Sequence, residues 1–199
     1  MSTATDLRTA APPTPAVAPR RGTGTHRPVR QDPAERRRAL YHLASPVSVL
    51  TTGPEGRMHG TTASTVTLVS REPLLVGVAL RAGSSFARLA AAEGRFAINV
   101  LRSEQADVAR RFADSGRPDG SAQFAGLPWT ADPYAHAPLI AGALAHYTCR
   151  FHSVHTAGDS ELLLGYVVRA TADAGLPLLS YAGGLYAGSL LPAKEDTAS

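Results

Sequence analysis

The pattern of apolar and polar residues changes character several times along the chain, and each change marks an element. Residues 1–31 carry almost no large apolar side chains; Pro, Ala, Thr and Arg dominate. Such a segment cannot bury enough surface to offset the entropy of ordering, so a disordered leader is expected. Asp32-Pro33 then supply a helix N-cap and a first-turn proline, and Ala39, Leu40 and Leu43 follow at helical spacing, predicting a helix to about Ala44. Beyond Pro46 the texture becomes β-branched. Val47 to Thr52, a turn at Gly53 to Gly56, and one strand from Thr61 to Ser70 predict a hairpin. Leu74 to Leu80 form a third strand, too apolar to have an open face.

Gly83-Ser84-Ser85 cap a helix, Phe86 to Glu93, that stops at Gly94, and Phe96 to Leu101 form a fourth strand. Ser103 is placed to cap a second helix ending at Phe112. The polar, Gly-rich stretch from Ala113 to Gly126 is long enough to be a lid or an oligomer contact. A long strand from Ala143 to His155, a turn at Ala157 to Ser160, and strands Glu161 to Ala172, Pro177 to Tyr181 and Gly184 to Leu191 complete the body. Many strands joined mostly by turns, with two or three short helices, predict a mainly antiparallel β fold of the β or α+β class, closed as a barrel with helical plugs. The expected domain spans 32–192, with 193–199 as a disordered tail.

Charge changes little in this picture. The formal net charge of +4 is concentrated in the first 38 residues, where eight Arg face only Asp6, Asp32 and Glu35. The remainder carries −1, so the basic balance does not indicate a nucleic-acid partner. The single cysteine, Cys149, excludes an intramolecular disulfide framework and a cysteine-rich zinc site, and reads as a small buried hydrophobe. No run is long and apolar enough for a spanning helix or a secretory signal, so a cytoplasmic protein without a membrane partner is expected.

The familiar catalytic motifs are missing: no phosphate-binding P-loop, no nucleophile elbow, no HExxH, and no GxGxxG between strand and helix. His152 and His155, three apart on a strand, point to opposite faces, and no metal site is expected. There remain the hydroxyl-rich run Thr61 to Thr65 and Ser84-Ser85 at a helix start, with Arg88 and Arg95 nearby. Helix amides, hydroxyls and a guanidinium together suit a phosphate, and small strand residues let a flat ring approach the backbone. By spacing alone, ordinary strand threonines and a routine N-cap explain the same residues, so both readings stay open. Trp129 reads as an anchor for the long loop, and Arg110-Arg111 as solvated helix charge.

Seven segments in order resemble the flavin reductase-like family. They are Ser45 to Thr52, Gly60 to Leu80, Ser84-Ser85-Phe86-Ala87-Arg88-Leu89 with Gly94 to Leu101, the Gln105 to Phe112 helix, Pro138 to Phe151, Gly158 to Val167 and Pro177 to Tyr186. The resemblance covers about Arg38 to Leu190. It implies an antiparallel FMN-binding split β-barrel, a homodimer with FMN or FAD near the subunit interface, hydride from NADH or NADPH, and delivery of reduced flavin to a partner flavin-dependent monooxygenase.

Carried over residue by residue, the resemblance implies that Ala63, Ser64 and Thr65 line the isoalloxazine, with Val69 and Ser70 behind them on the same hairpin. Ser45, Pro46, Val47, Ser48 and Val49 form the neighbouring wall, and Ser84, Arg88, Arg95 and Phe96 sit near the ribityl phosphate. The turn Gly158-Asp159-Ser160 falls on the nicotinamide side. Many family members carry histidine where this chain has Ser160, which leaves Ser160 and His155 as the catalytic candidates. Tyr181 and Tyr186 are expected in the core or at a dimer contact. Two alternatives to the reductase stay open: a barrel that retains flavin and acts on an organic substrate itself under the long loop, and a flavin-binding module without catalysis.

Overall fold

The computed structural model describes residues 32–40 and 42–188. The expected disordered leader (1–31) and tail (193–199) lie outside the described residues. Helix α1 (Pro33–Leu40) is followed by strands β1 (Ser45–Pro46), β2 (Ser48–Thr52), β3 (His59–Ala63), β4 (Thr67–Arg71) and β5 (Leu74–Arg81). Next come α2 (Ser85–Glu93), β6 (Arg95–Val100), α3 (Ala106–Ala113), β7 (Trp129–Ala131), β8 (Pro138–Ile140), β9 (Ala145–Ala157), β10 (Ser160–Ala172), β11 (Leu178–Tyr181) and β12 (Gly184–Ala187).

Seven strands form one antiparallel sheet in the order β3-β2-β6-β9-β10-β5-β4, beside smaller sheets β1-β11-β12 and β7-β8. This corrects the expectation of one strand from Thr61 to Ser70. That stretch is two strands on opposite edges of the sheet, joined by Ser64 to Val66. β3 pairs with β2, with Ala63 opposite Ser48, whereas β4 pairs with β5, with Leu68 opposite Val76. The linking residues cross the gap between the edges, and the Thr65 hydroxyl ties the crossing to β5 by donating to the Ala79 carbonyl at 2.7 Å. Val69 and Ser70 therefore lie on a different hairpin from Ala63.

The core follows from β strands buried on both faces. β2 is buried along its whole length, and β6 over its four central residues. Inside the barrel, Phe86 from α2 meets Phe96 edge-on at 6.0 Å, among Leu50, Val78, Ile98, Cys149 and Leu163. A second cluster, Val49, Leu101, Phe112, Phe124 and Ile140, seats α3 on the outside of the sheet. Asn99 joins the layers, donating to the Val49 carbonyl at 3.0 Å and accepting from the Ile140 amide at 2.8 Å. Buried amide groups of this kind persist only when satisfied.

Local signals set the helix ends. Ser84 caps α2, its hydroxyl accepting from the Ala87 amide at 3.3 Å, and Gly94 ends it at φ 68°, a left-handed position that suits glycine. Ser103 does not cap the next helix. It opens a 3-10 turn (Ser103–Gln105), and the Gln105 side chain caps that turn by accepting from the Arg102 amide at 3.0 Å. α1 ends at Leu40 rather than near Ala44, because Ser45 and Pro46 are drawn into pairing with Ser180 and Leu179. Leu74 on β5 is 44% exposed, so that strand does have an open face at its start.

Candidate functional site

The crossing between the sheet edges creates a cleft of about 530 Å³. Its floor is Thr61 to Thr65, where small side chains leave the backbone accessible. One wall is the end of β5 and the start of α2, from Ala79 to Ser84; the opposite wall is Phe112, Ala113, Ser115 and Arg117. Val47, Ser180 and Leu185 close the end. A recess of about 520 Å³ adjoins it, sharing Ser64, Thr65 and Ser180 and extending to Ser45, Leu43 and Tyr181.

Two groups of donors border this space. Among the described residues, the amides of Ser64, Thr65 and Val66 donate to no backbone carbonyl, because the chain leaves one ladder there before it enters the next. Such amides need acceptors from a ligand or water. At the other wall, Ser84 marks the N-terminus of α2, whose positive dipole end favours an anion. Arg81 and Arg117 add two cationic side chains to the rim.

The structure brings some of the expected residues together and separates others. Val47, Ala63, Ser64, Thr65 and Ser84 all border the cleft, and Ser45 borders the adjoining recess. Pro46 and Ser48 instead line an apolar recess with Leu68, Val76 and Tyr147. Val49 is fully buried beneath α3. Val69 and Ser70 stand at the far sheet edge on β4 and do not reach the cleft. Arg88, one turn along α2, lines a shallow groove with Phe151 and Glu161. Arg95 points the other way, donating to the Tyr134 carbonyl at 2.7 Å. Phe96 is fully buried in the barrel, since the period of two along β6 turns it inward.

The Gly158-Asp159-Ser160 turn packs against the cleft wall from behind. The Ala82 amide donates to the Asp159 carbonyl at 3.0 Å, the Gly83 amide to Glu161 Oε1 at 3.0 Å, and Ser160 pairs with Arg81. The Ser160 hydroxyl donates to Asp159 Oδ1 at 3.2 Å. His155 is exposed, away from the cleft, with Nε2 2.8 Å from the Ser153 hydroxyl. Tyr181 and Tyr186 are exposed rather than in the core, 6.2 Å apart edge-on, and the Tyr181 hydroxyl meets His42 Nδ1 at 3.0 Å. Cys149 is fully buried and burial pushes its thiol up to about 12, leaving it a neutral packing group. Trp129 packs on Phe124 at 6.3 Å and so anchors the loop.

Arg81, Ser115, Arg117 and Ser180 border the cleft without having been singled out in the sequence. Arg81 carried a local signal, being the charged end of an apolar strand just before a helix cap. Arg117 and Ser180 carried none, because only tertiary contacts bring the long loop and β11 to this wall.

A flavin reductase like domain matches residues 40–189. The chain belongs to the flavin reductase-like family. It is 37% identical over 174 residues to an NADPH-flavin oxidoreductase of Streptomyces viridifaciens, covering 87% of this chain and 88% of that one. It is 33% identical over 152 residues to the reductase component of a 4-nitrophenol 4-monooxygenase/4-nitrocatechol 2-monooxygenase of Rhodococcus opacus, covering 76% and 79%. In structure it is similar to an NADH:FAD oxidoreductase of Streptomyces globisporus, with TM-score 0.73 and 31% identity over 90% of this chain and all of that one. Among the described residues no helix is long and apolar enough to cross a membrane.

Proposed function

We propose that the protein is an NAD(P)H-dependent flavin reductase that takes FMN or FAD as substrate and hands the reduced flavin to a flavin-dependent monooxygenase. The observation that carries this reading is the seam at Ala63 to Val66, where unpaired amides and small side chains meet a cleft with a helix N-terminus across it. An isoalloxazine has carbonyl and ring-nitrogen acceptors that suit the Ser64 and Thr65 amides, and its flat face suits a floor without bulky side chains. A ribityl phosphate reaches toward Ser84 and the start of α2. The donors present therefore fit the group.

In the reaction, NAD(P)H gives up a hydride, two electrons and one proton, to the flavin ring at N5, and NAD(P)⁺ leaves. The redox chemistry is carried by the two substrates. The chain holds one ring flat against the seam so that the other can stack on it, and the walls keep bulk water from the reacting faces. No acid or base of the protein is required for hydride transfer, which accords with a serine at position 160. The adjoining recess, open to the same seam, leaves room for the second ring. Homodimerisation with flavin near the subunit interface belongs to this proposal, and the exposed Leu68 and Leu74, which share an apolar recess with Val76 and Tyr147, offer apolar surface for it.

Anaerobic mixing of the protein with FMN or FAD and then NADH or NADPH tests the proposal. Catalytic loss of the visible flavin absorption is expected, and it names both substrates. Binding without bleaching would refute the reductase and favour a retained flavin. Ser160→His should raise kcat/KM for NAD(P)H if this turn faces the nicotinamide; an unchanged value would remove the turn from the site.

A further inference from the structure

Arg117 is held in an unusual way for a cation beside a cleft. A guanidinium has five N–H donors. Nε donates to Gln123 Oε1 at 3.2 Å, Nη1 to the Asp114 carbonyl at 2.7 Å, and Nη2 to the Gly60 carbonyl at 2.8 Å. One N–H on each terminal nitrogen is left over, and the residue borders the cleft. All three acceptors are neutral. Among the described residues Arg117 makes no ion pair, so its orientation is set by neutral acceptors alone. A rigid guanidinium with two spare donors is built for the oxygens of a phosphate.

Gln123 fixes that orientation. It is 2% exposed, and its Oε1 accepts from both the Gly60 amide, at 3.1 Å, and Arg117 Nε. These two bonds determine which way the amide points. Its Nε2 is then a donor toward His59 Nδ1 at 3.4 Å, so Nδ1 must be the unprotonated nitrogen. Around His59 stand the Phe86 ring and Arg88 from α2, and Arg117 and Asp119 from the loop. Burial, Arg117 and Arg88 hold its pKa below the ordinary histidine value, against the opposing charge of Asp119. Neutral His59, Gln123 and Arg117 form one chain of dependence.

We propose that Arg117 makes the site prefer flavins carrying a 5′-phosphate over riboflavin, and that Gln123, seated on His59, is the residue that positions it. The inference rests on the flavin reductase reading. Ser84 and the α2 N-terminus favour any anion nearby; Arg117 adds directed bonds, and the long loop exists in its folded form to present them.

The test compares kcat/KM for FMN and for riboflavin in the wild type, Arg117→Met, Gln123→Leu and Gln123→Glu. The wild type should favour FMN, and Arg117→Met should cut the FMN-to-riboflavin ratio by about tenfold, the effect of a lost charge-assisted bond. Gln123→Leu should lower the ratio in the same direction by less. Gln123→Glu accepts the same two bonds but pairs the guanidinium with a carboxylate, so it should also lower the ratio. A pH series with FAD, whose pyrophosphate keeps its charge across pH 5 to 8, adds a readout that a purely structural role would not move. Preference for FAD over riboflavin should fall in acid as His59 protonates, and the fall should flatten in Gln123→Glu, where a protonated His59 can donate. Equal losses for FMN and riboflavin in Arg117→Met, or a loss confined to KM for NADPH, would overturn the inference. A wild type that reduces FMN and riboflavin equally well would overturn it too, while leaving the reductase standing. A wild type that reduces no flavin with either nicotinamide would overturn both.

Discussion

Gly60 on β3 sits beneath α3, and replacing it with alanine should wedge the two apart. A Cβ built there meets Phe112 Cε1 at 2.5 Å and Cδ1 at 2.6 Å, with Phe124 Cζ at 3.3 Å. Ordinary carbon contacts lie at about 3.5–4.0 Å, so the ring must retreat by about 1 Å. It has little room, being fully buried, 5.0 Å from the Phe124 ring, and on a helix fastened to β3 by the Thr62 hydroxyl donating to the Ala109 carbonyl at 2.7 Å. Overpacking of this kind costs about 1–3 kcal/mol. For a domain of this size each kcal/mol lowers Tm by about 2–4 °C, which places the expected drop at about 2–12 °C. Phe112 also lines the cleft wall, so a displaced ring should weaken flavin affinity as well. Thermal melts by circular dichroism and a flavin titration measure both effects. Phe112→Leu supplies the room, so Gly60→Ala/Phe112→Leu should be less destabilised than the sum of the single variants. A Tm within about 1 °C of wild type, or strictly additive losses, would refute the reasoning.

Asp132 carries a second prediction. Burial opposes its charge, but the Ala135 amide, the Thr148 hydroxyl, the Tyr134 amide and Arg169 outweigh that cost and hold its carboxyl below the usual range. Asp132→Ala leaves these four donors without their acceptor and should cost about 2–4 kcal/mol in urea unfolding; a loss under about 1 kcal/mol would contradict this. The depressed carboxyl contributes its stability above the ordinary value and loses it as pH falls through the lower folded one, so Asp132→Asn should flatten the acid limb of the stability curve. His59 acts at milder pH. Its lowered pKa means the unfolded chain binds the proton first, so stability should decline as pH drops below about 6.5 and level off once the folded state titrates. His59→Asn should remove that decline, and a decline of unchanged size would assign it to another group.

What the sequence determined by itself was local. Gly53, at φ 83°, turns the chain between β2 and β3, and Ser84 with Gly94 bounds α2; each effect acts within a few residues and is readable from them. β-branched runs foretold strands, and the order of seven segments identified the family and its barrel. The same run from Thr61 to Ser70 looked like one strand because propensity is alike on both sides of Ser64. Only pairing with β2 on one side and β5 on the other divides it. Phase along β6 could not say which residues face inward, so Phe96 was expected beside a phosphate when the barrel interior holds it. The cleft's second wall was invisible for the same reason. Arg117 and Ser180 reach it through contacts spanning tens of residues, and hydrogen bonds from Arg117 to Gly60 and Gln123 exist only once the loop has folded onto β3. Neighbours in sequence decide where an element begins and ends; which elements meet, and so which side chains share a site, is decided by packing across the whole sheet.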